Sequence, residues 1–163
     1  MSIRNPADLH IRPAAVGDAP AMAAVFAAAV MTRAISFYGP RELAAWAALG
    51  SAERFAAMLA DPDRQLVAAE AGERLVGLAG LEGGEVGLLY AAPEAPAGTG
   101  TALLAAVEGL ARTQGIAVLT LIASRNALPF YVKRGFAIVK PARRPLASGV
   151  SLPVCLMAKT LEP

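Results

Sequence analysis

Two short segments hold the residue types that could do chemistry. The first runs Pro93-Glu94-Ala95-Pro96-Ala97-Gly98-Thr99-Gly100-Thr101-Ala102-Leu103-Leu104. Its two glycines stand between an expected strand and an expected helix. Glycine lacks Cβ, so the backbone can take positive φ and approach a ligand closely. The first N–H groups of a helix have no partner within it, and the helix dipole adds partial positive charge. Such a turn can hold a phosphate or pyrophosphate through backbone donors alone. The alternative is a turn that needs two glycines for its own geometry. No Lys follows, so this is not a P-loop, and the third glycine of the dinucleotide fingerprint is missing. The second segment runs Ser124-Arg125-Asn126-Ala127-Leu128-Pro129-Phe130-Tyr131-Val132-Lys133-Arg134-Gly135-Phe136. Phe130 and Phe136 read as core aromatics and Gly135 as a helix C-cap. Tyr131 falls in mid-helix. His10, the one histidine, reads as structural or solvent-facing. Cys155, the one cysteine, reads as a small core residue, with no histidine placed to activate it.

The elements that must position these segments follow from pattern. Leu9-His10-Ile11-Arg12 alternates and stops at Pro13, a short strand. Asp18 is an expected N-cap for a helix from Ala19 to about Arg33, with Pro20 tolerated in its first turn. Gly39-Pro40 starts a helix through Trp46, and Ser51 caps a third to about Ala60. Gln65–Ala71 and Arg74–Leu81 are strands joined around Gly72-Glu73, a hairpin signal. Glu85–Ala91 is the next strand. Thr101–Gln114 is a helix with Leu103, Leu104, Val107 and Ala111 on one stripe. Val118–Ile122 is a continuous apolar strand, expected to be buried on both faces. Leu128–Lys133 is a short helix, and Phe136–Val139 and Ser151–Lys159 are the last strands. Strands and helices alternate around one crossover, so an α/β fold with one parallel pair in a mixed sheet is expected.

Composition narrows the class. The chain has 163 residues, 56% hydrophobic and 17% charged, which excludes a disordered polypeptide. One domain over residues 1–163 is expected at this length. Alanine supplies 38 residues and aromatics only 6%, so much of the apolar surface is small methyl groups. A single cysteine excludes a disulfide scaffold. The longest apolar run, Ala21 to Met31, is too short for a membrane span. The segment Met1 to Asp8 has no apolar leader, so a cytoplasmic setting is the default reading. Net charge is +2 and the arginines are scattered, which does not suggest nucleic acid but suits a small anionic ligand.

Taken together, the two segments resemble the GCN5-related N-acetyltransferase (GNAT) family. That family has a turn of form Gln/Arg-x-x-Gly-x-Gly/Ala before a long helix. Later it has Asn-x-x-Ala-x-x-x-Tyr, with Gly-Phe four and five residues beyond the tyrosine. Here the turn is Ala95-Pro96-Ala97-Gly98-Thr99-Gly100, and the second motif is Ser124 through Tyr131 with Gly135-Phe136. Ile11-Arg12-Pro13, the Tyr38-Gly39-Pro40-Arg41-Glu42-Leu43 helix start and Trp46 are similar to one bacterial branch. Two positions depart from the pattern. Ala95 stands in place of Gln or Arg, and Ser124 in place of Asn.

The resemblance implies a mixed, mostly antiparallel central sheet of about seven strands flanked by helices, with a splayed centre that binds the cofactor. It implies acetyl-CoA as acyl donor, no metal, and a primary amine of a small molecule or protein as acceptor, with a homodimer left open. It places the backbone of Leu89, Tyr90 and Ala91 beside the thioester and pantetheine arm. It places Ala97, Gly98, Thr99, Gly100, Thr101 and Ala102 around the phosphates, with Ser124, Asn126, Phe130 and Tyr131 closing the site. Tyr131 is carried over as the acid that protonates the leaving thiolate. Among Glu70, Glu82 and Glu85, the last is the candidate base; all three also read as turn or edge carboxylates. Phe37, Tyr38 and Trp46 are candidates for the acceptor pocket. Arg143 and Arg144 would favour an acidic group on the acceptor, or form a solvated face. The missing Gln/Arg motivates an alternative, a non-catalytic acyl-CoA-binding or regulatory module on the same scaffold. A nucleotide-binding protein is a further alternative.

Overall fold

A computed structural model describes residues 8–163. The strands are β1 (Leu9–Pro13), β2 (Arg64–Ala71), β3 (Arg74–Glu82), β4 (Glu85–Ala91), β5 (Val118–Ser124), β6 (Ala137–Pro145) and β7 (Ser151–Thr160). The helices are α1 (Ala19–Arg33), α2 (Pro40–Ala47), α3 (Ala52–Ala60), α4 (Thr99–Thr113) and α5 (Leu128–Lys133). The N-terminal segment read for a leader lies, through residue 7, outside the described residues. No described helix is long and apolar enough to cross a membrane.

The strands form one sheet in the order β1-β2-β3-β4-β5-β7-β6. Neighbours are antiparallel except β4 and β5, the parallel pair expected from the crossover. That pair is registered at one position, Glu85 opposite Thr120, with Thr120 N–H donating to Gly84 O at 2.9 Å. Beyond it β4 stays with β3 and β5 stays with β7, so the two halves of the sheet diverge. A bulge helps to turn β4 away. Gly80 faces Leu88 while Leu81 faces Val86, leaving Gly87 as the extra residue.

Each face of the sheet carries its own core. Leu103, Leu104, Val107 and Ala111 of α4 pack with Val76, Leu119, Leu121 and Met157 on one face. Met22, Phe26 and Val30 of α1 pack with Trp46, Phe55, Leu66 and Leu78 on the other. Burying one such Leu or Phe stabilises by about 1.5–3 kcal/mol. Ala19, Ala29, Ala34, Ala68, Ala69, Ala79, Ala111 and Ala123 are buried as well. The alanine excess thus lets helices and strands approach closely.

The structure corrects several expectations. Val118 and Ile122 are 46% and 38% exposed, so β5 is buried on one face only. Its other face stays open because α1–α3 stack over β2–β4. Asp18 makes no side-chain cap; its carboxylate accepts from Ala15 N–H at 2.7 Å and from both Arg12 Nη atoms at 2.8 Å. β6 continues past Val139 to Pro145. Pro141 is tolerated there because β6 is an edge strand. α4 starts two residues early, at Thr99, so Gly98 becomes its N-cap. Ser51 caps α3 as expected, accepting from Arg54 N–H at 3.1 Å.

Candidate active site

The divergence of β4 and β5 opens a cleft of about 590 Å³ across the middle of the sheet. The turn before α4 and the short helix α5 form one end. α1, Trp46 and the β6–β7 side form the other.

Gly98 and Gly100 are required for different reasons. Gly98 has φ +91°, a left-handed conformation that a Cβ disfavours. Gly100 is needed for space: a Cβ there would lie 3.1 and 3.2 Å from two ring atoms of Phe130. The turn leaves the N–H groups of Ala97, Gly98, Gly100 and Thr101 without an acceptor among the described residues. Thr99 N–H is spent on Pro96 O at 3.2 Å, and Ala102 N–H on Gly98 O at 2.9 Å. Ala102 also does not line the cleft, so it stands apart from the other residues of the turn.

A positive charge lies against the turn from the end of α5. Arg134 donates from Nε and Nη2 to Thr101 Oγ1 at 3.1 and 2.5 Å, and from Nη1 to Phe130 O at 2.9 Å. Its guanidinium lies 3.7 Å over the Phe130 ring. Arginine prefers this stacked and forked arrangement. The i,i+4 spacing of Arg134 from Phe130 is the available sequence signal for this contact.

On β4, N–H and C=O groups alternate between the two edges of the strand. Ala92 N–H donates to Val76 O at 2.8 Å, so Tyr90 N–H also faces β3, and Leu89 and Ala91 face the open edge. Leu89 packs with the α4 layer and the Tyr90 side chain with the α1 layer. Tyr131 is 7% exposed and held edge-on between Phe130 and Phe136, with ring centres at 5.1 and 5.5 Å. Its hydroxyl has no hydrogen-bond partner among the described residues, and its ring lines the cleft. Burial pushes its phenol above the ordinary value, and nearby Tyr90 adds to the shift. Ser124, at the end of β5, lines the same wall. Asn126 Oδ1 is buried there with no donor.

At the opposite end, Phe37 and Trp46 line the cleft as expected. Tyr38 does not. Its hydroxyl donates to Pro153 O at 2.7 Å and accepts from Arg125 N–H at 2.9 Å, pinning β7 to the β5–α5 turn. Arg143 and Arg144 point to opposite faces of β6 by strand alternation. Arg144 lines the cleft, and Arg143 donates to Ser151 Oγ at 3.0 Å. Arg33, also a cleft residue, donates to Ala91 O and Ala92 O at 3.2 and 3.1 Å. Sequence reasoning missed both Arg33 and Arg134. Glu85 is exposed at the closed end of β4 and does not reach the cleft; neither Glu70 nor Glu82 lines it.

Residues 34–146 match the family model described as an acetyltransferase (GNAT) domain. The chain is similar over 99% of both lengths to a GCN5-related N-acetyltransferase from Rhodopseudomonas palustris, also described as an aminotransferase, class-II, at 31% identity and TM-score 0.87. It shares its fold with PaiA N-acetyltransferase from Thermoplasma acidophilum, solved in complex with coenzyme A, over 94% of this chain and 99% of that one, at 20% identity and TM-score 0.79. It also shares it with ribosomal-protein-alanine N-acetyltransferase from Brucella melitensis, over 93% and 99%, at 24% identity and TM-score 0.69. Comparison with curated proteins gave no match. A split mixed sheet with a glycine turn at its cleft defines the class: the chain belongs to the GCN5-related N-acetyltransferase family. It is an acetyltransferase enzyme.

Proposed function

We propose that the chain transfers the acetyl group of acetyl-CoA to a primary amine by direct attack of the amine on the thioester. The observation that carries this reading is the pairing of four free N–H groups at the α4 turn with the unpartnered Tyr131 hydroxyl across one cleft. The PaiA relative, solved with coenzyme A, supports the choice of donor.

The residues present suit that donor. The N–H groups of Ala97, Gly98, Gly100 and Thr101 offer a cradle for a pyrophosphate. Arg134 adds the positive charge that Ala95 lacks. The orphaned Asn126 Oδ1 offers an acceptor to an amide N–H of the pantetheine arm. The open edge of β4 at Leu89 and Ala91 offers strand-like pairing to the same arm.

Acetyl-CoA supplies an activated acyl carbon and a thiolate leaving group. Leu89 N–H, on the open edge, stabilises the oxygen on which charge builds; one such preorganised donor contributes about 2.7–4 kcal/mol. Tyr131, kept protonated by its buried setting, donates its proton to the departing sulfur. No carboxylate lines the cleft among the described residues, so Glu85 is not assigned as base. The amine loses its proton to water instead. The guanidinium of Arg33, held by main-chain carbonyls and not neutralised, favours the amine's neutral form by disfavouring a second positive charge nearby. Titration of acetyl-CoA by calorimetry, followed by CoA-thiol detection with an amine panel, tests the reading. It predicts binding and amine-dependent thiol release; no binding at millimolar acetyl-CoA would refute it.

A further inference from the structure

The acceptor end of the cleft has an unusual charge balance for an enzyme that takes a cationic amine. Among the described residues lining the cleft there are three arginines, Arg33, Arg134 and Arg144, and no aspartate or glutamate. Arg134 is committed to the α4 turn through Thr101. Arg33 is held by two main-chain carbonyls, so its charge is oriented but not neutralised. Arg144 makes no hydrogen bond or ion pair with any described residue, although it is half-buried.

Two further donors share the acceptor end with Arg144. Trp46 is 5% exposed, and its Nε1–H makes no full hydrogen bond while facing the Tyr90 hydroxyl. The Tyr90 hydroxyl itself has no hydrogen-bond acceptor among the described residues. Tyr90 is fixed by an edge-on contact with Phe26, ring centres 4.6 Å apart, so its hydroxyl is presented from a rigid ring. A buried donor without a partner is costly and rare in native proteins, and it marks a place where a ligand oxygen completes the set. A polycationic acceptor finds no counter-ion here. An oxyanion finds a free guanidinium and the Tyr90 hydroxyl, whose oxygen the Trp46 Nε1–H faces. Guanidinium groups match carboxylate and phosphate oxygens in a forked geometry.

We infer that the acceptor is a small amine that itself carries an oxyanion, held by Arg144 with Trp46 and Tyr90 at its side. This rests on the proposed N-acetyltransferase reading. The cleft volume is in the range for a small molecule. The oxyanion places the amine: once it is bound at Arg144, the amine is directed along the cleft toward the open edge of β4. The inference also explains how a site rich in arginine admits an amine, because the oxyanion offsets the charge that would repel its ammonium form.

The test uses matched acceptors at saturating acetyl-CoA. One arm pairs free amino acids with their carboxamides, a second pairs phosphoethanolamine with ethanolamine, and a third is spermidine. The expected result is a kcat/KM at least tenfold higher for the anionic member of one pair, and which pair shows it distinguishes carboxylate from phosphate. In Arg144→Gln that preference falls at least tenfold, while Arg143→Gln, altered outside the cleft, keeps it. Folding of both variants is checked by acetyl-CoA affinity at the far end of the cleft. The inference is overturned if neutral members or spermidine match the anionic ones, if no anionic amine is turned over, or if Arg144→Gln leaves the preference intact. Turnover of spermidine alone would overturn it and leave the acetyltransferase reading standing. Failure to bind acetyl-CoA would remove that reading and this inference together.

Discussion

Replacing Arg134 with glutamine removes the guanidinium that lies against the α4 turn and keeps a shorter, neutral polar side chain. The wild-type group sits 3.7 Å over Phe130 and bonds Thr101 Oγ1, so it is held at the mouth of the cradle. A unit charge about 5 Å from a phosphate oxygen is worth roughly 1 kcal/mol in water and roughly 3 kcal/mol at an effective dielectric near 20. The half-buried position of Arg134 lies between these limits, which convert to about 5-fold and about 150-fold weaker acetyl-CoA binding. The assay is calorimetric affinity for acetyl-CoA beside KM for acetyl-pantetheine, which has no phosphates. Glutamine should weaken the first and spare the second. It should also flatten the salt dependence of acetyl-CoA affinity, since exposed charge pairs are screened by salt. Ala95→Arg in the Arg134→Gln background should recover part of the loss, because residue 95 lines the same cleft. Equal weakening of both donors would show that Arg134 acts by packing on Phe130, and no weakening would refute the charge argument.

Gly98→Ala should cost about 1–2 kcal/mol of stability, read from the urea midpoint, because its φ of +91° is a left-handed conformation. Gly100→Ala should act mainly on affinity, pushing Phe130 by a few tenths of an ångström and raising KM for acetyl-CoA. Arg12→Met should destabilise by about 1.5–3 kcal/mol, since it removes charged hydrogen bonds to Asp18 and Glu70. Arg12 depresses the Asp18 carboxyl, so this deficit should be full at neutral pH and shrink in acid, as pH falls below the unfolded carboxyl value and through the folded one. Tyr90 and Tyr131 give the opposite limb. Their folded phenols are raised, so the folded state holds protons that the unfolded chain releases near pH 10. Urea midpoints should hold below that pH and fall as pH rises beyond it. The double Tyr90→Phe, Tyr131→Phe variant should flatten the fall.

Much of the fold was legible because the elements are punctuated. Pro13, Gly50, Gly83, Gly115 and Gly135 mark ends that periodicity alone would blur. The glycine turn and Tyr131 were legible because their spacing is local. What failed was non-local. The open face of β5 depends on how far α1–α3 reach across the sheet, which no window of sequence contains. Glu85 was placed on the correct strand but at its closed end, because the point where β4 leaves β5 is set by pairing and by the bulge at Gly87. Arg33, Arg134 and Arg144 lie on three different elements and meet only in the cleft. In the sequence they are scattered charges.

The central claim is that Tyr131 serves as the acid in acetyl transfer within this cleft. Tyr131→Phe keeps the ring between Phe130 and Phe136 and removes only the hydroxyl. Single-turnover release of CoA thiol, measured beside calorimetric acetyl-CoA affinity, isolates that one group. The account predicts release slowed by about 10²- to 10⁴-fold, with affinity unchanged. Release at the wild-type rate, or a loss of affinity that accounts for the slower release, would contradict it.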